Sequence, residues 1–363
     1  MSATIAIPTN PGTRARPLRV GFITLTDAAP VIVAQEHGLF RKHGLQVELS
    51  RELGWATIRD KVVYRELEAS HALATMVIST ALGGSRAPAY PCISACSLNR
   101  NGNVITLSEA LWKNGVRDAA TLRSEIVRLR HERQLVFGVV YLHSTHHILL
   151  CDWLQAAGIN PRKDVRIVVV PPAQLFRNLQ AGTLDGYCVG EPWGSLAVRE
   201  GAGWAAALSC DLKPGHLEKV LMVRGDFAEQ NEEQHLALVA ATAEAALLCD
   251  QPEFRPQVVK LLARPEYLNV PERILAPALL GPFNLGHGQT REATDIITFG
   301  HPEPEPEKAG WLIEGLQRHA LIPAGDTVSV ALGRTLFRAD LFHQAMKRAG
   351  KLSSVTPSPT STR

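Results

Sequence analysis

Apolar residues in this chain fall into short runs separated by polar, cap-forming and glycine positions, and the runs alternate between two periods. LRVGFI (18–23) is a short apolar run, which reads as a buried strand. The polar turn Thr24–Asp27 can cap a helix. AAPVIVAQEHGLFRKHG then carries Pro30 in its first turn and a glycine near its end, the punctuation of a helix. LQVELSRE (45–52) reads as the next strand, WATIRDKVVYREL as a helix with apolar residues at helical spacing, and HALATMVISTALG (71–83) as a third strand–helix passage.

The unit recurs in the second half. QLVFGVVY (134–141) is a strand, and STHHILLCDWLQAAG (144–158) is a helix with Ser144 as cap and Gly158 as stop. VRIVVVP (165–171) is a strand, PAQLFRNLQAG (172–182) a helix and LDGYCVG (184–190) a strand. Such alternation predicts an α/β protein with a mainly parallel sheet, and two modules predict two lobes with a ligand cleft at the carboxyl ends of the strands. Residues 227–263 read as helices that return to the first lobe. HPEPEPE (301–307) reads as a stiff extended loop because proline donates no hydrogen bond. The last helices are expected near 308–320 and 328–349. The predicted organisation is a polar tail over 1–16, a first lobe over 17–110, a second over 111–217, a return to the first over 218–350, and a second tail over 351–363.

Composition narrows the function. The 363 residues suffice for two lobes, and 45% hydrophobic with 20% charged residues is ordinary for a soluble globular chain. A net charge of +3 gives no argument for nucleic acid or an acidic membrane, and no apolar run approaches the roughly 20 residues of a membrane span. Direct nucleic-acid contact and membrane insertion are therefore not expected. The six cysteines are expected as reduced thiols. Cys92 and Cys96 have no second cysteine pair nearby, and His143, His146 and His147 lack a clear carboxylate partner, so no metal is predicted. No Ser-His-Asp set, carboxylate pair or glycine-rich phosphate loop stands out, so neither catalysis nor a cofactor is predicted.

Four blocks carry a more specific signal: GFITLTDAAPVIVAQEHGLF (21–40), GWATIRDKVVY (54–64), SLNRNGNVITLS (97–108) and DGYCVGEPWGSLAVREG (185–201), with PEYLNVP (265–271) as a fifth. Together, over residues 17–285, they resemble the nitrate- and bicarbonate-binding proteins of bacterial ABC transporters, and most of all the cytoplasmic nitrate/nitrite sensors. The resemblance implies the type II periplasmic-binding-protein fold, with two α/β lobes closing on a small ligand. It places the ligand-binding positions on Trp55, Asn103, His146 and Lys219, with Thr26, Asp27, Gly102 and Glu191 in support. One departure is ATMVIST (74–80), where relatives often have a proline. Pyrimidine-precursor synthases of the same fold carry a CCCFC-type motif, whereas Cys188 stands alone in DGYCVGEPW.

The implied set suits nitrate, a planar monoanion that must be paired and hydrogen-bonded once dehydrated. Lys219 would supply charge, Trp55 an indole N–H and a flat ring, Asn103 an amide donor, and His146 an imidazolium whose charge the bound anion favours. Taken alone, each has a plainer reading. Lys219 in HLEKVLMV would be a solvated lysine, Asn103 in NGN a turn residue, Trp55 a core residue and His146 part of a helix-start surface. Glu191 in GEPW reads as structural, at the cleft wall or hinge.

The sixteen residues before the match, MSATIAIPTNPGTRAR, hold no apolar run of about 7–15 residues, no small-residue cleavage site and no lipid-bearing cysteine. The expectation is therefore a cytoplasmic sensor. Nitrate or nitrite would close its lobes and release a protein partner, an ANTAR-type RNA-binding antiterminator. The alternative is the solute-binding component of a nitrate, nitrite or bicarbonate transporter.

Overall fold

The computed structural model describes residues 16–83, 89–292, 295–323 and 330–355. Its strands are β1 (Leu18–Ile23), β2 (Val47–Glu52), β3 (Ala69–Leu73), β4 (Cys92–Asn101), β5 (Asn103–Ser108), β6 (Leu135–Val139), β7 (Val165–Val169), β8 (Gly186–Gly190), β9 (Gly203–Leu208), β10 (Leu217–Arg224), β11 (Phe283–Gly286), β12 (Gln289–Arg291) and β13 (Ile297–Thr298). One sheet runs in the order β13-β4-β10-β3-β1-β2, the other β7-β6-β8-β5-β9, and β11 and β12 form a separate hairpin. This is the two-lobed α/β architecture, with helices packed on each sheet.

The sheets are mixed, not simply parallel. β1 runs parallel to β2 and β3, and β6 parallel to β7 and β8, as strand–helix alternation requires. β10 is antiparallel to β3 and β4, and β5 to β8 and β9. These reversed strands are where the chain passes between lobes. Gly102 alone separates β4 in one sheet from β5 in the other, ahead of the boundary expected at 110. Asn101 (φ 59°) and Gly102 (φ 95°) both take left-handed backbone there. A Cβ on Gly102 would also press on Ile297 at 3.2 Å, so glycine is required. The chain returns at β10.

Several predicted elements differ in extent. The helix expected over AAPVIVAQEHGLFRKHG is two, Ala29–Glu36 and Leu39–Lys42, broken where Gly38 takes φ 66°. Thr24–Asp27 caps nothing: a three-residue 3₁₀ turn, Thr26–Ala28, precedes the helix without a side-chain cap bond. Ser144 does cap its helix, Thr145–Ala156, accepting from the His147 N–H at 3.1 Å. The helix Glu232–Asp250 is apolar nearly all round because it is sandwiched in the first lobe's core. HPEPEPE is an irregular strap with Pro302 and Pro304 buried, and the Pro302 carbonyl accepts from the Ser97 N–H of β4 at 2.8 Å. Residues 1–15 and 356–363 of the expected tails, and 328–329 of the last predicted helix, lie outside the described residues. That region is otherwise two helices, Val330–Leu336 and Ala339–Val355, and the second continues through 351–355, expected as tail. All six cysteines are free and buried.

Candidate functional site

The carboxyl ends of the strands converge where the lobes meet. From the first lobe, β1 leads to Thr26 and Asp27, β2 to Trp55 at the start of the helix Trp55–Val63, and β3 carries His71. β10 adds Glu218 and Lys219. Consecutive strand residues normally face opposite ways, but the ladder between β10 and β4 slips here, with Leu217 opposite Arg100 and Lys219 opposite Asn99. This bulge re-aims the strand, so that Glu218 Oε1 and Lys219 Nζ end 2.7 Å apart. From the second lobe come Asn103 at the start of β5, His146 in the first turn of Thr145–Ala156, and Gly190 at the end of β8. A Cβ on Gly190 would lie 3.2 Å from Asp27 Oδ2 and 3.5 Å from Asn103 Oδ1, so glycine lets the lobes approach.

Trp55, Asn103, His146 and Lys219 are brought together, and none exceeds 2% exposure. Lys219 Nζ donates to Glu218 at 2.7 Å and pairs with Asp27 Oδ2 at 2.8 Å, and it lies 5.6 Å from the centre of the Trp55 ring. Asn103 Nδ2 donates across the lobes to Glu218 Oε2 at 2.7 Å. His146 Nε2 approaches Glu218 Oε1 only to 3.6 Å, and His216 Nδ1 lies 3.5 Å from Oε2. His71 Nε2 meets Asp27 Oδ1 at 2.8 Å, while its Nδ1 faces the Ile23 N–H at 3.4 Å. That second contact puts the proton on Nε2. The Trp55 indole N–H, both ring nitrogens of His146, the Asn103 carbonyl and the Thr26 hydroxyl have no hydrogen-bond partner among the described residues.

Charge in this cluster differs from the cationic cage expected. Burial would raise both carboxyls, but Lys219 leads the attractions that outweigh it, holding Asp27 far below its usual range and Glu218 at about 2. Burial likewise opposes the Lys219 ammonium, and Asp27 and Glu218 overcome it, raising the lysine. Burial pushes His146 down to about 3 despite Glu218, and lowers His71 and His216 too. At neutral pH one ammonium thus stands between two carboxylates, with three neutral imidazoles around them. Lys219 is neither solvated nor a free counter-charge, and His146 is neutral in the protein alone.

The supporting positions divide. Asp27 is central. The Thr26 N–H donates to the Glu191 carbonyl at 2.8 Å, and the Glu191 N–H to the Gly102 carbonyl at 2.9 Å. Thr26, Glu191 and Gly102 therefore join the lobes through backbone. The Glu191 carboxylate turns away from Lys219 and accepts from the Ser195 N–H at 3.2 Å. His143 and His147 leave the site, bonding the carbonyls of Leu321 and Leu142. The sequence pattern does not single out His71, His216 or Glu218. The only local signals for them were a lone histidine inside SHALATMV and a charged pair inside HLEKVLMV.

The comparisons with known proteins agree with this architecture. The model of the NMT1-like family matches residues 12–263. The nitrate import ATP-binding protein NrtC of Synechocystis is 35% identical over 92% of this chain and 50% of its own length. The bicarbonate transport ATP-binding protein CmpC of the same organism is 40% identical over 69% of this chain and 38% of its own. The chain thus spans half or less of these two relatives. The crystal structure of the periplasmic nitrate-binding protein NrtA from Synechocystis superposes with a TM-score of 0.87 at 30% identity, covering 94% of this chain and 91% of that one. That match overturns the expectation of a cytoplasmic protein: the body of the fold is that of a periplasmic binder, and the N-terminal flank is no guide to residence. It also favours the solute-binding alternative over the regulatory reading. With the family model over most of its length and the NrtA fold over nearly all of it, the chain belongs to the NMT1-like family and, within it, to the solute-binding proteins that NrtA represents.

Proposed function

We propose that this chain captures a small planar oxyanion, nitrate or nitrite, between its lobes as the solute-binding component of an ABC-type importer. The observation that carries the reading is the pair of donors, one from each lobe, left without partners among the described residues around Lys219: the Trp55 indole N–H and the ring N–H of the neutral His146. A buried donor without an acceptor costs about 1–3 kcal/mol, so such a group at a lobe interface favours a ligand that accepts. Trp55 and Lys219 belong to one lobe, Asn103 and His146 to the other. An anion held by both would bind the closed form more tightly than the open one, and that difference drives closure. Binding, not turnover, is the activity proposed.

Closure also uses contacts outside the cluster. Arg59 Nη1 donates to the Tyr141 hydroxyl at 3.2 Å, Thr75 Oγ1 to the His143 carbonyl at 2.7 Å, and Trp193 Nε1 to the Thr24 carbonyl at 3.2 Å. The test is titration calorimetry against nitrate, nitrite, bicarbonate and chloride, with Trp55→Ala and His146→Ala alongside. Saturable heat with nitrate or nitrite, lost in both variants, supports the reading. Absence of heat with either anion, or unchanged affinity in both variants, sinks it.

A further inference from the structure

One carboxylate sits where the proposed reading needs an anion. Glu218 bridges the lobes with its two oxygens, taking Lys219 Nζ on Oε1 and Asn103 Nδ2 on Oε2, each at 2.7 Å. Both donors belong to the proposed ligand set. A carboxylate is planar, singly charged and delocalised over two oxygens, as nitrite is, and close in shape to two-thirds of nitrate. Glu218 has no solvent exposure to retreat into.

We propose that Glu218 is an internal competitor for the captured anion and the residue that sets anion specificity, so that nitrate or nitrite binds together with a proton from solvent. This rests on the reading given under Proposed function. The argument is one of charge and of donors. Lys219 already stands between Asp27 and Glu218. Adding a monoanion would place three negative charges beside one ammonium in a dehydrated site, and unpaired buried charge is strongly disfavoured. One proton per anion restores the balance: the anion takes the donors, and the proton goes to Glu218 or to an imidazole beside it.

The groups that face Glu218 are Lys219 on its own strand, His216 just before it, His146 from the second-lobe helix, Asn103 from β5 and Cys188 from β8. Across Lys219 lie Asp27 from the 3₁₀ turn and His71 from β3. Of these, His146 and His216 have a nitrogen in reach of the Glu218 oxygens and so can take the proton. An anion that carries its own hydroxyl, such as bicarbonate, adds the same charge but can donate a hydrogen bond to Glu218, which offsets part of the repulsion that nitrate meets in full. Nitrate has no hydrogen to offer. Glu218 therefore penalises nitrate relative to a hydroxyl-bearing anion.

The experiment is calorimetry of the full chain with sodium nitrate near pH 6.5 and 8.5, in pairs of buffers with different ionisation enthalpies, for wild type and Glu218→Gln. Wild type is expected to take up about one proton per nitrate, its Kd rising up to about tenfold per pH unit. Glu218→Gln should take up close to none and bind nitrate at least about tenfold more tightly at the higher pH, with its preference over bicarbonate raised. Nitrate binding by wild type without proton uptake overturns the proposal and leaves the binding function standing. So does equal uptake in the variant. If the variant fails to fold, the wild-type proton count decides alone. Binding of nitrate by the variant but not by wild type supports the proposal. Absence of nitrate binding in both proteins removes the anion reading and this proposal together.

Discussion

Replacing Lys219 by methionine keeps much of the side-chain volume and removes the charge that two buried carboxylates share. Lys219, Asp27 and Glu218 are all at or below 1% exposure, so water cannot take over the pairing. Two routes give the magnitude. Removing one partner of a buried ion pair typically costs about 3–5 kcal/mol. Independently, the Glu218 carboxyl falls from 4.5 to about 2, worth about 3 kcal/mol of preference for its ionised form. Burial opposes that fall and Lys219 leads the groups that produce it, so most of the preference vanishes with the lysine. The pH dependence has a definite sign. In wild type the depressed carboxyls stabilise the fold above their unfolded values and lose that effect as pH falls through the folded ones, between 4.5 and about 2 for Glu218. In the variant, burial acts unopposed by lysine and the folded carboxyls rise, so they destabilise at neutral pH and become harmless once protonated. The stability gap between the proteins should therefore be about 3–5 kcal/mol near pH 7 and shrink towards about pH 4. Urea unfolding followed by tryptophan fluorescence across that range measures it. Equal stability at neutral pH, or a gap that widens on acidification, refutes the reasoning.

Trp55→Phe keeps the ring beside Lys219 and His71 but removes the unpartnered indole N–H. Calorimetry should show nitrate affinity weakened about tenfold or more while thermal stability is held or raised, since an orphan buried donor is lost with it. Gly102→Ala puts a Cβ on a residue at φ 95° and 3.2 Å from Ile297. It should lower stability by about 1–3 kcal/mol, read as a urea midpoint, and small-angle scattering should show a changed balance of open and closed lobes. Burial raises the Glu191 carboxyl to about 7, with only Ser195 opposing. A raised folded value means stability is lost as pH climbs through it, so Glu191→Gln should match wild type near pH 5 and exceed it near pH 8.5; a thermal-shift series over that range in which the two proteins do not diverge contradicts this.

The parts of the fold readable from sequence are those where local pattern and tertiary use coincide. LRVGFI is apolar apart from Arg19 because β1 lies between β2 and β3 with helices on both faces. STHHILLCDWLQAAG declares its start through Ser144, a bond made three residues away. The crossings between lobes could not be read that way. Asn-Gly signals a turn because both residues tolerate left-handed backbone. Asn101 and Gly102 do adopt it, yet the chain is not reversed into a hairpin there but passed from one sheet to the other. The same dihedrals serve either purpose, and the partners that decide are remote: β13 and β10 beside β4, and β8 and β9 beside β5.

The site shows the same limit in its charges. A lysine in HLEKVLMV is solvated in most surroundings, and what buries this one is a carboxylate at Asp27, far away in sequence, together with a one-residue bulge that turns Glu218 to the same side. Family resemblance could place Lys219 in the site without revealing that two acids already hold it. That difference decides the chemistry. A free ammonium in a closed cleft would bind any small anion and discriminate little. An ammonium compensated twice over admits an anion only if the site gives up or neutralises one of its own negative charges. Selectivity then depends on what the incoming ligand brings with it. On the proposed reading, Lys219 supplies the charge that a small oxyanion needs, and the hydrogen that Glu218 can or cannot receive separates the members of that class.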